Sequence, residues 1–140
     1  MTWKLYEIDR IAHDLVLDFR DRDVLGESHK MRTTTAYGLE RFWGEHLRLD
    51  QTTKRNPKQE EQDKSDFWKA TWNALCKIMR DAGIAVPNNS VNPDNTSEIK
   101  SMAAKLWNEQ ELSMEKRKIA LAVLIELCDS LVWWTQRYKK

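Results

Sequence analysis

The chain has 140 residues, of which 23 are basic and 22 acidic, so its formal net charge is only +1. That length suits one domain of ordinary size, and the small net charge excludes a polycation, so any nucleic-acid binding must come from a local patch. With four Gly and three Pro but seven Trp, the composition favours long helices over a many-turned β fold.

The first predicted helix runs from about Thr2 to Arg22, because its apolar residues recur with helical spacing. Its other face is acidic and suits a basic partner protein, including a neighbouring copy. Residues 23–32 are interpreted as a connector that turns at Gly26. A second helix is predicted to begin at one of the threonines at positions 33–35. Its predicted buried face consists of Leu39, Phe42, Trp43 and Leu47.

Residues 51–66, QTTKRNPKQEEQDKSD, contain no apolar anchor and predict an exposed, mobile loop. A third helix is predicted to begin at Ser65 or Asp66 and to end near Ala82. Its tryptophans lie among aliphatic residues at helical spacing, which indicates core positions rather than platforms for stacking bases.

Residues 85–96 form a second predicted mobile loop, rich in Asn and Pro. Asn95 or Thr96 is predicted to cap a short fourth helix that ends near Asn108. With the final helix, the pattern predicts an all-α fold: residues 1–140 form a single-domain bundle of about five helices around a buried C-terminal helix.

The final helix is predicted from Ser113, its N-cap, to Lys140. Between Ile119 and Trp134 only three polar residues interrupt the apolar sequence, which is typical of a helix packed inside other helices. We judge this segment too short and too acidic to cross a membrane, so no membrane partner is expected.

Cys76 and Cys128 lie within apolar helical patterns and are predicted to be buried thiols in a reducing cytoplasm. The N-terminal sequence lacks the pattern of a signal peptide, which also favours a cytoplasmic location. The three His are scattered, and no nucleophile and base share a motif. No catalytic residue, metal site or cofactor is therefore predicted.

Basic residues outnumber acidic ones in one region, around the second helix and the loop that follows it. A flexible basic loop after a basic helix suits contacts to phosphates, which need charge and reach more than fixed geometry. An ordinary solvated surface is the alternative. The candidates for phosphate contact are Lys30, Arg32, Arg41, Arg48, Lys54 and Arg55.

Two short motifs leave enzymatic alternatives open. Glu126 and Asp129 are three residues apart and resemble the last metal-binding motif of all-α, Mg²⁺-dependent nucleotide pyrophosphohydrolases of the MazG and dimeric dUTPase type. The stretch from Arg41 to His46 resembles the Arg–His motif of helical HEPN ribonucleases.

Two longer segments resemble the small helical subunit of type III (Csm-type) CRISPR effector complexes. MRTTTAYGLERFWGEHLRL, residues 31–49, is similar to that family's Thr-capped helix start followed by a basic residue. LIELCDSLVWWTQRYKK, residues 124–140, is similar to its closing helix, an apolar run that ends in a basic tail containing Tyr. The small subunits of type I complexes are also helical and basic on one face, so both types stay open.

The resemblance implies a non-catalytic structural subunit of a ribonucleoprotein complex, with several copies stacked head to tail. Its expected partners are the crRNA and target nucleic acid, the backbone subunits of the complex and other copies of itself. The six candidates named above and Arg137 would contact phosphates along guide and target. A helical protein-interaction adaptor without nucleic acid is the remaining alternative.

Overall fold

The structure is a computed structural model that describes the backbone of residues 5–140 and the side chains from Glu7 onward. All regular structure in that part of the chain is helical, which confirms the predicted all-α class. The predicted cap at Thr2 lies outside the described residues. Two 3₁₀ turns, Arg20–Arg22 and Thr35–Tyr37, extend the first and second helices. The helices are α1 Leu5–Phe19, α2 Glu27–Thr34, α3 Leu39–Leu49, α4 Gln59–Asp81, α5 Thr96–Trp107 and α6 Met114–Tyr138.

The hydrophobic core lies between α4 and α6 and the helices packed on them. α1 and α2 pack mainly on α6, and α3 packs mainly on α4. Phe67, Trp68 and Trp72 of α4 are each at most 2% exposed. Phe67 stacks on Phe19 of α1 with ring centroids 4.9 Å apart. The prediction that the tryptophans of this helix are core residues is confirmed.

The C-terminal helix α6 is packed along one face. It begins as predicted, because the Ser113 side chain accepts a hydrogen bond from the backbone N–H of Lys116. Glu126, Asp129 and Trp133 lie on its exposed outer face, since α1, α2 and α4 do not surround the helix. Its buried residues are Ala120, Val123, Leu124, Leu127, Cys128, Leu131 and Thr135.

By length and composition, α6 is able to cross a membrane, so the exclusion of a span on those two grounds was wrong. The core helix of a water-soluble protein meets the same two criteria. In this bundle 39% of the most apolar window of α6 is buried inside the protein, against other helices.

The predicted connector at residues 23–32 contains α2, which is why residues 5–140 form six α-helices rather than the predicted five. Met31 is the only large apolar residue of α2, so the segment carries almost no helical pattern. Met31 is fully buried, and Glu27 is only 4% exposed and accepts a hydrogen bond from the indole N–H of Trp68 at 3.1 Å. Tertiary contacts therefore stabilise a helix that its local sequence does not indicate.

The threonines at positions 33–35 lie at the end of α2. The prediction that one of them begins α3 was wrong. The first two donate their hydroxyls to backbone carbonyls one turn earlier in α2. α3 instead follows Gly38, whose φ of 102° lies in the region that favours glycine. Leu47 is only partly buried, and Leu49 takes the last core position of this helix.

The first predicted loop is shorter than residues 51–66, because α4 begins at Gln59. This first turn has no apolar anchor, but Gln and Glu are good helix formers. Gln59 donates to the Asp63 carboxylate at 2.9 Å, one turn later, which supports the helix locally. Ser65, a predicted cap, is instead buried within α4 and donates to the carbonyl of His46. The second loop, near residues 85–96, is non-helical up to the Asn95 cap of α5.

Cys76 and Cys128 are free and buried, as predicted. Burial raises the pKa of the Cys76 thiol to about 12, and it also raises the pKa of Cys128. Because the thiolate is the reactive form, both side chains are weak nucleophiles at neutral pH.

Candidate nucleic-acid interface

Four of the seven predicted basic residues lie along α3 and the loop that follows it. Arg41 and Arg48 are both exposed, and their spacing of seven residues places them on one face of α3. Lys54 and Arg55 are exposed in the loop between α3 and α4. We call these four residues the α3–loop surface.

The other three predicted residues make separate contacts. The Arg32 guanidinium Nε lies 2.5 Å from Oδ1 of Asp129, so this residue links α2 to α6. The Lys30 ammonium lies 3.1 Å from Oε2 of the buried Glu27. Arg137 lies over the ring of Trp133, 3.6 Å from its centroid, on α6. Each of these three contacts is made to a residue outside the α3–loop surface.

The four cations of the α3–loop surface differ in how far they are neutralised. Arg48 donates to Oε1 of Glu45 on the same helix, with its Nε at 2.7 Å. Arg41, Lys54 and Arg55 form no ion pair within the described residues. These three side chains are therefore the ones whose full charge is open to an external anion.

The loop that carries Lys54 and Arg55 is tied to α4 at its base. The backbone N–H of Gln51 donates to the Gln62 side chain at 2.7 Å, and the Gln51 side chain accepts from the N–H of Lys58 at 3.2 Å. These bonds close the loop at both ends, so the two cations are presented from an anchored segment.

Tyr37 is a neighbour of this surface that the sequence did not single out. It is 60% exposed, and the Arg41 guanidinium lies 5.7 Å from its ring centroid. An exposed ring beside an unpaired guanidinium suits a nucleobase as well as a phosphate. Exposure of a single aromatic residue next to a glycine has no sequence signal, because it depends on how α2 and α3 meet.

A cleft of about 410 Å³ lies between α2 and α3. Its walls carry both a cation, Lys30, and a carboxylate, Glu45, with the buried Trp68 also lining it. Because charges of both signs face the cleft, it is not selective for an anion. The residues lining it are His29, Lys30, Thr33, Thr34, Glu45 and Trp68.

The two carboxylates of the pyrophosphohydrolase-like motif, Glu126 and Asp129, have different surroundings. Glu126 is exposed on the outer face of α6, and Asp129 is occupied by Arg32. Asp129 shares an open groove with one other carboxylate, Asp9, which accepts the indole N–H of Trp134 at 2.9 Å. No group of three or more acidic, His or Cys side chains is placed to hold a metal in the described part of the chain.

The two residues of the HEPN-like motif lie on different sides of α3. Arg41 is exposed, whereas His46 is 6% exposed, with its Nδ1 2.5 Å from the carbonyl oxygen of Trp43. Burial lowers the pKa of His46, so its neutral form is favoured. Within one copy, the two side chains do not approach a common scissile phosphate.

His13 of α1 ties that helix to the end of α6. Its Nε2 lies 2.9 Å from the Tyr138 hydroxyl and its Nδ1 lies 3.1 Å from Oδ1 of Asp14. The edge of the imidazole also contacts Trp134, with ring centroids 4.5 Å apart. This network joins distant parts of the chain and is a packing contact between helices.

Comparison with protein-family models, curated protein sequences and solved structures finds no match to this chain. The role of the α3–loop surface is therefore argued from its own charges, exposure and contacts.

Proposed function

We propose that this protein is a non-catalytic structural subunit that binds RNA backbone through the α3–loop surface. The observation that carries the proposal is the set of three exposed cations without a carboxylate partner among the described residues: Arg41, Lys54 and Arg55. Phosphate contacts need exposed positive charge and release counterions when they form, whatever the base sequence. Arg48 adds a fourth cation that would exchange Glu45 for phosphate.

The resemblance to the small subunits of CRISPR effector complexes gives this binding a context. In that context the ligands are the crRNA and its target, and the protein partners are the backbone subunits and further copies of this chain. The all-helical fold supports this proposal, because those small subunits are also helical. A type III complex is the first assignment and a type I complex the second, with a cytoplasmic location in either case.

The test is fluorescence anisotropy of a labelled single-stranded RNA at several salt concentrations. We expect binding that weakens with salt and is alike for unrelated sequences. Replacing Arg41, Lys54 and Arg55 by Ala should flatten the slope of log K against log salt by about 2, since each lost contact to a single strand removes about 0.7.

A matched control replaces three other exposed lysines, Lys77, Lys100 and Lys118, which also removes three positive charges. This control should leave the slope near that of the parent protein. Absence of binding at low salt, or equal slopes for the two triple variants, would remove the α3–loop surface as the binding site. A Mg²⁺-dependent dNTP hydrolysis assay on the same preparation tests the pyrophosphohydrolase alternative.

A further inference from the structure

Tyr37 presents an open aromatic ring beside the α3–loop surface. It is the last residue of the 3₁₀ turn Thr35–Tyr37, and its side chain is 60% exposed. Among the described residues its ring has one charged or aromatic partner, Arg41, whose guanidinium carbon lies 5.7 Å from the ring centroid. Most of the ring is therefore accessible to a ligand from solution.

A second exposed ring beside an arginine, that of Trp133, differs from Tyr37 in two ways. The Arg137 guanidinium lies 3.6 Å from the Trp133 centroid, which is direct stacking contact, and so covers one face of the indole. Arg41 lies well beyond that contact distance from Tyr37, and so its donors stay free for another partner. Trp133 also lines a groove that contains two carboxylates, which repel phosphate. Of the two rings, Tyr37 is the one suited to a nucleotide.

The turn that carries Tyr37 is anchored inside the bundle. Thr35 is fully buried, and its hydroxyl donates to the backbone carbonyl of Arg32 at 2.7 Å. The same hydroxyl accepts from the Arg32 guanidinium at 3.2 Å. A ring on an anchored turn loses little conformational entropy when a ligand stacks on it, and this favours binding.

The charge beside the ring is positive once the ion pairs are counted. The Glu40 carboxylate, in the first turn of α3, pairs with Arg117 at 3.3 Å. Asp129, which reaches the turn through Arg32, pairs with that arginine. Arg41 has no carboxylate partner among the described residues. A ligand with both a planar apolar face and a negative charge therefore matches this site better than a cationic side chain does.

We propose that an unpaired nucleobase of the bound RNA stacks on Tyr37 while Arg41 binds an adjacent phosphate. Every base has a π face, so this contact adds affinity without adding sequence preference. A base inside a duplex is covered on both faces by its neighbours, so the ring does not reach it. The α3–loop surface therefore prefers single-stranded RNA to a duplex. This inference rests on the proposed function and specifies which state of RNA the surface accepts.

Fluorescence anisotropy of the full chain tests the ring with one labelled RNA, used alone and annealed to its complement. We expect the parent protein to bind the single strand more tightly than the duplex. Tyr37→Ala should weaken binding of the single strand by about 5- to 150-fold, the loss expected for one stacked base, and should leave duplex binding unchanged. Because no charge is removed, the slope of log K against log salt should stay the same.

Two further variants serve as controls. Tyr37→Phe keeps the ring and should bind the single strand as the parent protein does. Trp133→Ala removes the other exposed ring beside an arginine and should leave binding unchanged. Circular dichroism checks that each variant is folded, which we expect because both side chains are exposed.

Four results would overturn the inference. They are single-strand binding by Tyr37→Ala equal to that of the parent, equal losses for single strand and duplex, a Tyr37→Phe protein as weak as Tyr37→Ala, and a parent protein that binds the duplex as tightly as the single strand.

Photo-crosslinking reports the stack directly. An RNA that contains iodouridine reacts on irradiation with an aromatic ring stacked on that base, and mass spectrometry locates the modified residue. We expect the crosslink at Tyr37 with the single strand and its loss with the duplex. A crosslink at Trp133 in place of Tyr37 would refute the assignment.

The failure of this inference is distinguishable from failure of the proposed function. The first is shown if the parent binds RNA and the triple variant of Arg41, Lys54 and Arg55 flattens the salt slope, but Tyr37→Ala changes nothing. If the parent protein does not bind RNA at low salt, both the proposed function and the base stack are refuted.

Discussion

Glu27 is the carboxylate on which the attachment of α2 to α4 depends, and its replacement has a predictable effect on stability. Its side chain is 6% exposed, and its two oxygens receive the Trp68 indole N–H at 3.1 Å and the Lys30 ammonium at 3.1 Å. Glu27→Ala leaves the buried indole N–H without its acceptor. Since a hydrogen bond to a charged group contributes about 1.5–3 kcal/mol, we expect the free energy of unfolding to fall by about 2–4 kcal/mol once lost packing is included.

The ion pair to Lys30 contributes much less than the bond to Trp68. The Lys30 side chain is 65% exposed, and solvent-screened pairs of this kind are worth at most about 1 kcal/mol. Lys30→Ala should therefore lower the free energy of unfolding by less than about 1 kcal/mol. Glu27→Gln retains an oxygen that can accept from Trp68. Its loss of unfolding free energy should therefore lie between those of Glu27→Ala and Lys30→Ala.

Urea unfolding at pH 7, followed by circular dichroism, measures all three variants without relying on tryptophan emission. The expected order of destabilisation is Glu27→Ala, then Glu27→Gln, then Lys30→Ala. Equal losses for Glu27→Ala and Lys30→Ala would show that the exposed ion pair, and not the buried hydrogen bond, holds α2. A negligible loss for Glu27→Ala would refute the whole argument.

Three further expectations follow from the structure. Gly38→Ala should destabilise the fold by about 1 kcal/mol or more, because φ is 102° there. Gly44→Ala should instead stabilise α3 by up to about 1 kcal/mol in the same urea titration, because the space around the added methyl is open. Burial lowers the pKa of His46, so below about pH 6.5 the unfolded chain binds a proton that the folded chain resists. As the pH is lowered below that point, the free energy of unfolding should therefore fall, and it should fall by less in His46→Gln. Equal losses in the two proteins would contradict the lowered pKa of His46. Cys76 and Cys128 should react with a thiol reagent only after urea unfolding, and rapid labelling of the native protein would contradict their burial.

Much of the fold was predictable because several segments carry strong local signals. The apolar run of α6 and its Ser113 cap, the Asn95 cap of α5 and the aromatic face of α4 all appear in the structure. Two predictions that were wrong concern segments with weak local pattern. α2 was interpreted as a connector, and the first turns of α4 were interpreted as loop, because polar helix formers without apolar spacing resemble exposed coil.

The candidate interface, too, was predictable from the sequence only in part. The sequence alone determined which cations exist near α3, and it placed Arg41 and Arg48 on one face, because helical periodicity is a local property. Only the tertiary structure showed that Asp129 of α6 engages Arg32, while Lys54 and Arg55 keep their charge free. Charge pairing over long sequence separation is set by packing between helices, which no local pattern encodes.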